Sequence, residues 1–269
     1  MHLDGPRIIL SRAAPDYLIA LFGNEVPEIR EGIVSIKGAA RDPGIRAKIA
    51  VISRDSDVDP VGACVGVRGS RVQNIVQELK GERIDIVPWD DDISRFVCNA
   101  LAPAEIQKVI IDDENHEIEV VVGDTNLSLA IGKRGQNVRL ASQLTGWKID
   151  IVSETEMAKR VANAKYQLML IPGVTDTLAM ALYQNGFETV RDVAGAEADM
   201  FVDVPGFDQA KGADLIEKAK EVVASGKADQ MPAPAELPGV DLSTLGGAPT
   251  ADSIEAKLRA ELAAREKSK

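Results

Sequence analysis

Aromatic residues are scarce in this sequence, at 4% of a chain that is 45% hydrophobic. Aliphatic side chains suffice to fill packed cores, but few rings remain for stacking on bases, so any nucleic-acid contact must rest on backbone and charge. Histidine is scarcer still. His2 and His116 are the only two, and neither a zinc site nor a Ser-His-Asp triad can be assembled from them. A phosphate-binding Gly-Lys loop and a dinucleotide fingerprint are also missing, so the chain reads as no enzyme, with no cofactor and no metal. The acidic clusters Asp90-Asp91-Asp92 and Asp112-Asp113-Glu114 read as solvated turns rather than Mg²⁺ sites. Cys64 and Cys98 lack a CxxC pairing and sit in apolar surroundings, which predicts buried, reduced thiols. With no apolar run of 18 residues and no charged-then-apolar leader, the membrane and secretory readings drop out and a cytoplasmic location is expected.

Positive charge is in short supply too. The net charge is −11, with 18 basic against 23 acidic residues in 1–152 and 13 against 19 in 153–269. Neither part is suited to coating a polyanion non-specifically, which needs a basic face and many phosphate contacts.

What the sequence does have is a duplication. At 269 residues two or three small domains are expected. From Pro15 the residues Leu18, Ile19, Leu21 and Phe22 have helical spacing, and Pro27 limits the helix. Ile33–Ile36 and Ile45–Ile52 alternate as strands about the turn Arg41-Asp42-Pro43-Gly44. An apolar segment, Val61–Val65, then leads into Gly66-Val67-Arg68-Gly69, a helix through Val72, Ile75, Val76 and Leu79, and the strand Arg83–Val87. The order begins again with a helix over Ile93–Ala102, strands at Val109–Ile111 and Ile118–Val122, and the segment Leu127–Ile131. Gly132-Lys133-Arg134-Gly135, a helix through Val138, Leu140, Ala141 and Leu144, and the strand Lys148–Val152 complete the copy. The repeat is roughly 65 residues long.

One GxxG is a weak signal; the same GxxG between two helical segments in both copies is a strong one. Glycines at the first and fourth positions allow backbone angles closed to other residues and let the chain lie against a sugar-phosphate backbone, while the following helix adds amide donors. Val67, Arg68 and Arg71 in the first copy, and Lys133, Arg134 and Arg139 in the second, stand where such a loop meets RNA. Val65, Val72, Ile131 and Val138 read mainly as packing residues. The pattern is that of KH modules, each clamping about four nucleotides of single strand. Gly66→Asp and Gly132→Asp are expected to weaken RNA binding without unfolding the chain.

Beyond the duplication, Ile171-Pro172-Gly173-Val174 and Val204-Pro205-Gly206-Phe207 are two turns of one type. Each is followed by a helix-period run, which suggests a tandem helix-hairpin-helix. Asp176 and Asp208 stand beside the turns, and residues 153–227 hold 12 acidic and 8 basic residues. Repulsion of a phosphate backbone makes Pro172, Gly173, Asp176, Pro205, Gly206 and Asp208 candidates for protein contact instead. After Val223 the composition turns to Pro, Ala, Gly and Ser, a flexible linker before a charged tail.

The segments Arg41–Val51, Asp59–Gly66, Gly81–Val87 and Asn137–Trp147 together resemble the paired KH region of the bacterial transcription elongation factor NusA family over about residues 10–153, and 155–223 is similar to that family's acidic helix-hairpin-helix repeat. The expected fold class is α+β. Two tandem type II KH modules (13–89 and 90–153) precede a small all-α helix-hairpin-helix domain (155–223) and a flexible tail (224–269). Residues 1–12 carry what resembles the last strand, Gly5–Arg12, of an OB-fold domain that typical members place after a polymerase-binding domain; whether the chain is a fragment of a longer protein stays open at this point. The resemblance implies a monomer that holds single-stranded nascent RNA and works with RNA polymerase and other elongation factors. It also implies effects on pausing, termination and antitermination, and contact between 155–223 and the C-terminal domain of the polymerase alpha subunit. Two other readings stay open: the RNA-binding portion of an RNA-processing enzyme, opposed by the missing catalytic motifs, and a ribosome-associated protein, opposed by the acidic balance.

Overall fold

The computed structural model describes residues 10–229. They fall into two compact units that divide between Ile151 and Val152. In the first, Ser11 Oγ accepts from the amides of Ala13 and Ala14 and turns the chain into helix α1 (Pro15–Glu25). Pro15 is tolerated because the first amides of a helix have no intrahelical acceptor anyway. The strand expected over Gly5–Arg12 does not run through Leu10–Arg12, which this bend occupies; residues 1–9 lie outside the described residues.

After the single turn α2 (Pro27–Arg30), β1 (Val34–Asp42) and β2 (Arg46–Ser53) form an antiparallel hairpin, and β2 pairs in parallel with β3 (Arg83–Pro88). A parallel pair needs a crossover, supplied here by α3 (Pro60–Val65) and α4 (Ser70–Glu78). Leu18, Phe22, Ile49, Val51, Cys64 and Ile75 form the core between helices and sheet. β1 runs past the alternation at Ile33–Ile36: its register shifts at Lys37, and Gly38-Ala39-Ala40 continue the strand without large apolar side chains.

The second copy repeats the plan. It consists of α5 (Ile93–Leu101), β4 (Ile106–Asp112), β5 (Glu117–Val122), α6 (Leu127–Ile131), α7 (Gln136–Thr145) and β6 (Lys148–Ser153), with sheet order β4-β5-β6. Its core of Phe96, Val97, Leu101, Val109, Ile118 and Val120 also takes in Ala50 and Val87 from the first sheet. The outer face of that sheet is thus covered by α5 and α7. Lys48 lies on the same face, 1% exposed, and shares Asp85 with Arg46 at 3.0 and 2.9 Å. Burial lowers the Lys48 pKa and the Asp85 charge opposes that shift.

The second unit packs α8 (Glu154–Met169), α9 (Asp176–Gln184), α10 (Val190–Gly195) and α11 (Gln209–Ala224) around Leu168, Ile171, Leu182, Val190, Phe201 and Ile216. Phe187 stacks on Phe201 with ring centroids 4.6 Å apart. Neither cysteine is in a disulfide; Cys64 is buried and Cys98 half-buried. Among the described residues no helix is long and apolar enough to cross a membrane.

Candidate nucleic-acid interface

The two GxxG loops have the same backbone. Gly66 has φ 75° and ψ 176°, and Gly132 has 73° and 172°. Arg68 and Arg134 are left-handed at φ 53° and 55°, as are Gly69 and Gly135 at φ 79° and 71°. Holding a non-glycine residue left-handed costs about 1–2 kcal/mol; Lys80 and His116 do so at ordinary turns, and Arg68 and Arg134 do so at the same loop position in both copies. Helices α4 and α7 start at Gly69 and Gly135 with no side-chain cap, whereas Asp59, Asp92, Ser153, Thr175, Thr189 and Asp208 cap others. The Gly69 and Ser70 amides donate back to the Gly66 and Val67 carbonyls, and those of Gly135 and Gln136 to Gly132 and Lys133, so each loop closes on itself ahead of its helix.

The first and fourth glycines have different jobs. A Cβ on Gly132 would lie 2.7 Å from Asn137 Cβ and 2.8 Å from its backbone nitrogen, and one on Gly66 would lie 2.6 Å from Arg71 Cγ. Both first glycines therefore admit a close approach by the chain's own following helix. Gly69 and Gly135 have no neighbour within 4 Å of such a Cβ and face open space. The expectation that Gly66→Asp and Gly132→Asp would test RNA contact without touching the fold is corrected accordingly.

The candidate side chains separate in the same way. Val67, Arg68, Lys133 and Arg134 are exposed. Arg71 is not poised for RNA: it donates to Glu28 Oε2 at 2.8 Å and to the Ala63 carbonyl at 2.6 Å, tying the end of α3 beneath the loop. Its counterpart Asn137 does this without charge, donating to the Ala130 and Leu101 carbonyls at 3.1 Å. Arg139 is half-exposed and pairs with Asp42 at 2.9 Å. Asp42 Oδ2 also accepts from Gln136 Nε2 at 2.6 Å. The tip of the first module's hairpin is therefore fastened to the first turn of the helix behind the second loop. Asp42, Gln136 and Glu28 were missed by sequence reasoning, and only the Asp-Pro-Gly turn chemistry around Asp42 drew notice to its segment.

Other polar groups are committed to structure. Asp92 caps α5 and Asp112 accepts from the Asn115 amide and side chain, so each acidic cluster closes a turn. His116, at the tip of the β4–β5 hairpin, stacks on Trp147 at 3.9 Å. Burial, reinforced by the Glu28 charge, pushes the Cys64 thiol up to about 12, which keeps it protonated. In the second unit Gly173 and Gly206 take φ 92° and 83° in the two hairpin turns, with Pro172 and Pro205 just before them. Asp176 pairs with the buried Lys165, and Asp208 accepts from the Lys211 amide at 2.8 Å, so a carboxylate already occupies an amide that a phosphate would need.

A helix, an antiparallel strand pair, two helices split by GxxG and a third strand, built twice, define a tandem KH chain, here followed by a tandem of helix-hairpin-helix turns. Three family descriptions match it: NusA-like first KH domain at 12–89, NusA-like second KH domain at 93–159, and SAM-like helix-hairpin-helix tandem at 167–221. The chain belongs to the NusA family, of which it carries the paired KH region and the helix-hairpin-helix region. It is 46% identical over 222 residues to the transcription termination/antitermination protein NusA of Rickettsia conorii, covering 80% of this chain and 44% of that protein. The Rickettsia prowazekii protein of the same name is 45% identical with the same coverage. That of Halalkalibacterium halodurans is 57% identical over 152 residues, which is 56% of this chain and 40% of the relative. The chain thus spans less than half the length of these relatives.

Proposed function

We propose that this chain holds single-stranded RNA along a track through both GxxG loops, as the RNA-gripping part of a factor that modulates pausing, termination and antitermination by bacterial RNA polymerase. The observation that carries this reading is the twice-built loop: identical left-handed backbones and exposed Arg68, Lys133 and Arg134, fixed within one unit. Gly66, Gly69, Gly132 and Gly135 shape the loops, Val67 lies at the first loop's tip, Arg71 supports that loop, and Arg139 orients the second through Asp42. The relatives' names support the transcriptional role. The acidic residues at the hairpin turns favour a protein partner for 155–223, the candidate being the C-terminal domain of the polymerase alpha subunit.

The test is titration of the chain with single-stranded RNA, DNA of the same sequence and duplex RNA, followed by capture of purified RNA polymerase. Preference for single-stranded RNA is expected, because a KH groove admits unstacked bases and not a duplex. Equal or better binding to duplex RNA would sink the reading.

A further inference from the structure

The backbones of the two loops are the same, so a difference in what they hold must come from side chains. At the second position the first loop carries Val67, 82% exposed, where the second carries an exposed lysine, Lys133. A single exposed valine is ordinary on a protein surface. This one stands at the tip of a loop whose twin presents a cation in the same conformation. The second cation of the first copy, Arg71, is withdrawn beneath the loop by Glu28 and the Ala63 carbonyl. Glu25 lies alongside, bonded to Asn74 of α4 at 2.7 Å. The first loop therefore presents one cation, Arg68, with two carboxylates behind it, and the second presents Lys133 and Arg134 with Arg139 held by Asp42.

Resting on the RNA reading above, we propose that the loops divide the work: the second holds the strand by its phosphates, and the first holds it chiefly through Val67 against the face of an unstacked base, with Arg68 as its single charge contact. An aliphatic contact excludes water from the base but releases no counterion, so its share of the affinity is independent of salt. Each phosphate contact steepens the salt dependence by about 0.7 for a single strand. Val67 thereby contributes affinity that is insensitive to the charge of the backbone and, as a contact with a base face, tolerant of which base reaches it.

The experiment is a salt series of single-stranded RNA binding with the wild type, Val67→Ala, Val67→Lys and Lys133→Ala, each checked for an unchanged melting transition. Val67→Ala should weaken binding roughly threefold at every salt concentration, with the slope unchanged. Val67→Lys should steepen the slope by about 0.7 and Lys133→Ala should flatten it by about 0.7. A folded Val67→Ala that binds like the wild type, or a Val67→Lys with an unaltered slope, would overturn the division while leaving the RNA reading standing. Absence of single-stranded RNA binding by the wild type would remove both.

Discussion

A chain carrying Gly69→Asp and Gly135→Asp is expected to fold and to bind single-stranded RNA at least roughly tenfold more weakly, since each substitution sets a like charge where a phosphate contact is expected. Gly132→Asp alone is expected to undermine the second module. The contrast follows from the surroundings of each glycine. At Gly69 and Gly135 an added Cβ meets nothing within 4 Å, and aspartate is among the residues that tolerate a left-handed conformation, at about 1 kcal/mol each. At Gly132 the added atom meets the Asn137 backbone nitrogen at 2.8 Å, and φ 73° with ψ 172° is a conformation confined to glycine. Backbone cannot yield there without moving the start of α7, so a loss of about 2–4 kcal/mol is expected. Urea unfolding separates the two classes and RNA titration of the folded double variant gives the binding loss. A Gly132→Asp chain as stable as the wild type would contradict the packing assigned to the first glycine.

The second large effect lies away from the loops. Arg41 and Glu82 form a bidentate pair at 2.8 Å on both arms, with side chains 2% and 1% exposed, and Glu82 also accepts from the Gly44 amide. Removing one partner of such a pair leaves the other charge buried alone, so Glu82→Gln should cost about 3–5 kcal/mol in urea unfolding. Burial by itself would raise the Glu82 pKa; the hydrogen bonds from Arg41 and Gly44 together with the Arg41 charge outweigh it and hold the carboxyl below its ordinary value of 4.5. A depressed folded-state pKa contributes stability that is complete above the unfolded value and is lost as pH falls through the folded one. Between pH 6 and pH 3 the wild type should therefore lose stability more steeply than Glu82→Gln, whose residue 82 has no proton to gain. Parallel pH profiles would mean that this pair does not carry the predicted linkage.

Much of this architecture was legible in the sequence because it is written twice. The repetition of GxxG behind a short apolar segment, and of Pro-Gly turns before two helical runs, placed the KH modules and the hairpins without any structure. The illegible parts are those where a segment distant in sequence, in the other module or in the same one, is the environment. Lys48 sits between Ala47 and Ile49 and reads as a solvent-facing strand position; it is buried because α5 and α7 cover that face. Gly38-Ala39-Ala40 carries no strand signal, yet a Cβ on Gly38 would lie 3.7 Å from Leu144 of the second module, so the strand shows small residues where its neighbour comes close. Arg71 is in a GxxG-adjacent position that invites a phosphate, and only the location of Glu28, 43 residues earlier, reveals that its charge is spoken for. Sequence spacing conveys local periodicity; these three positions are set by contacts between distant segments.

The claim that both loops grip one strand is tested most directly by titrating the unchanged chain with single-stranded RNAs of increasing length at fixed salt. A KH module clamps about four nucleotides, and on a shared track the second contact would become intramolecular once the first is made. Affinity should therefore stay weak for strands that fill one loop and rise steeply, by roughly a hundredfold, once a strand is long enough to reach both. A smooth, shallow increase in proportion to the number of overlapping sites, with no threshold, would contradict a shared track and leave two independent loops.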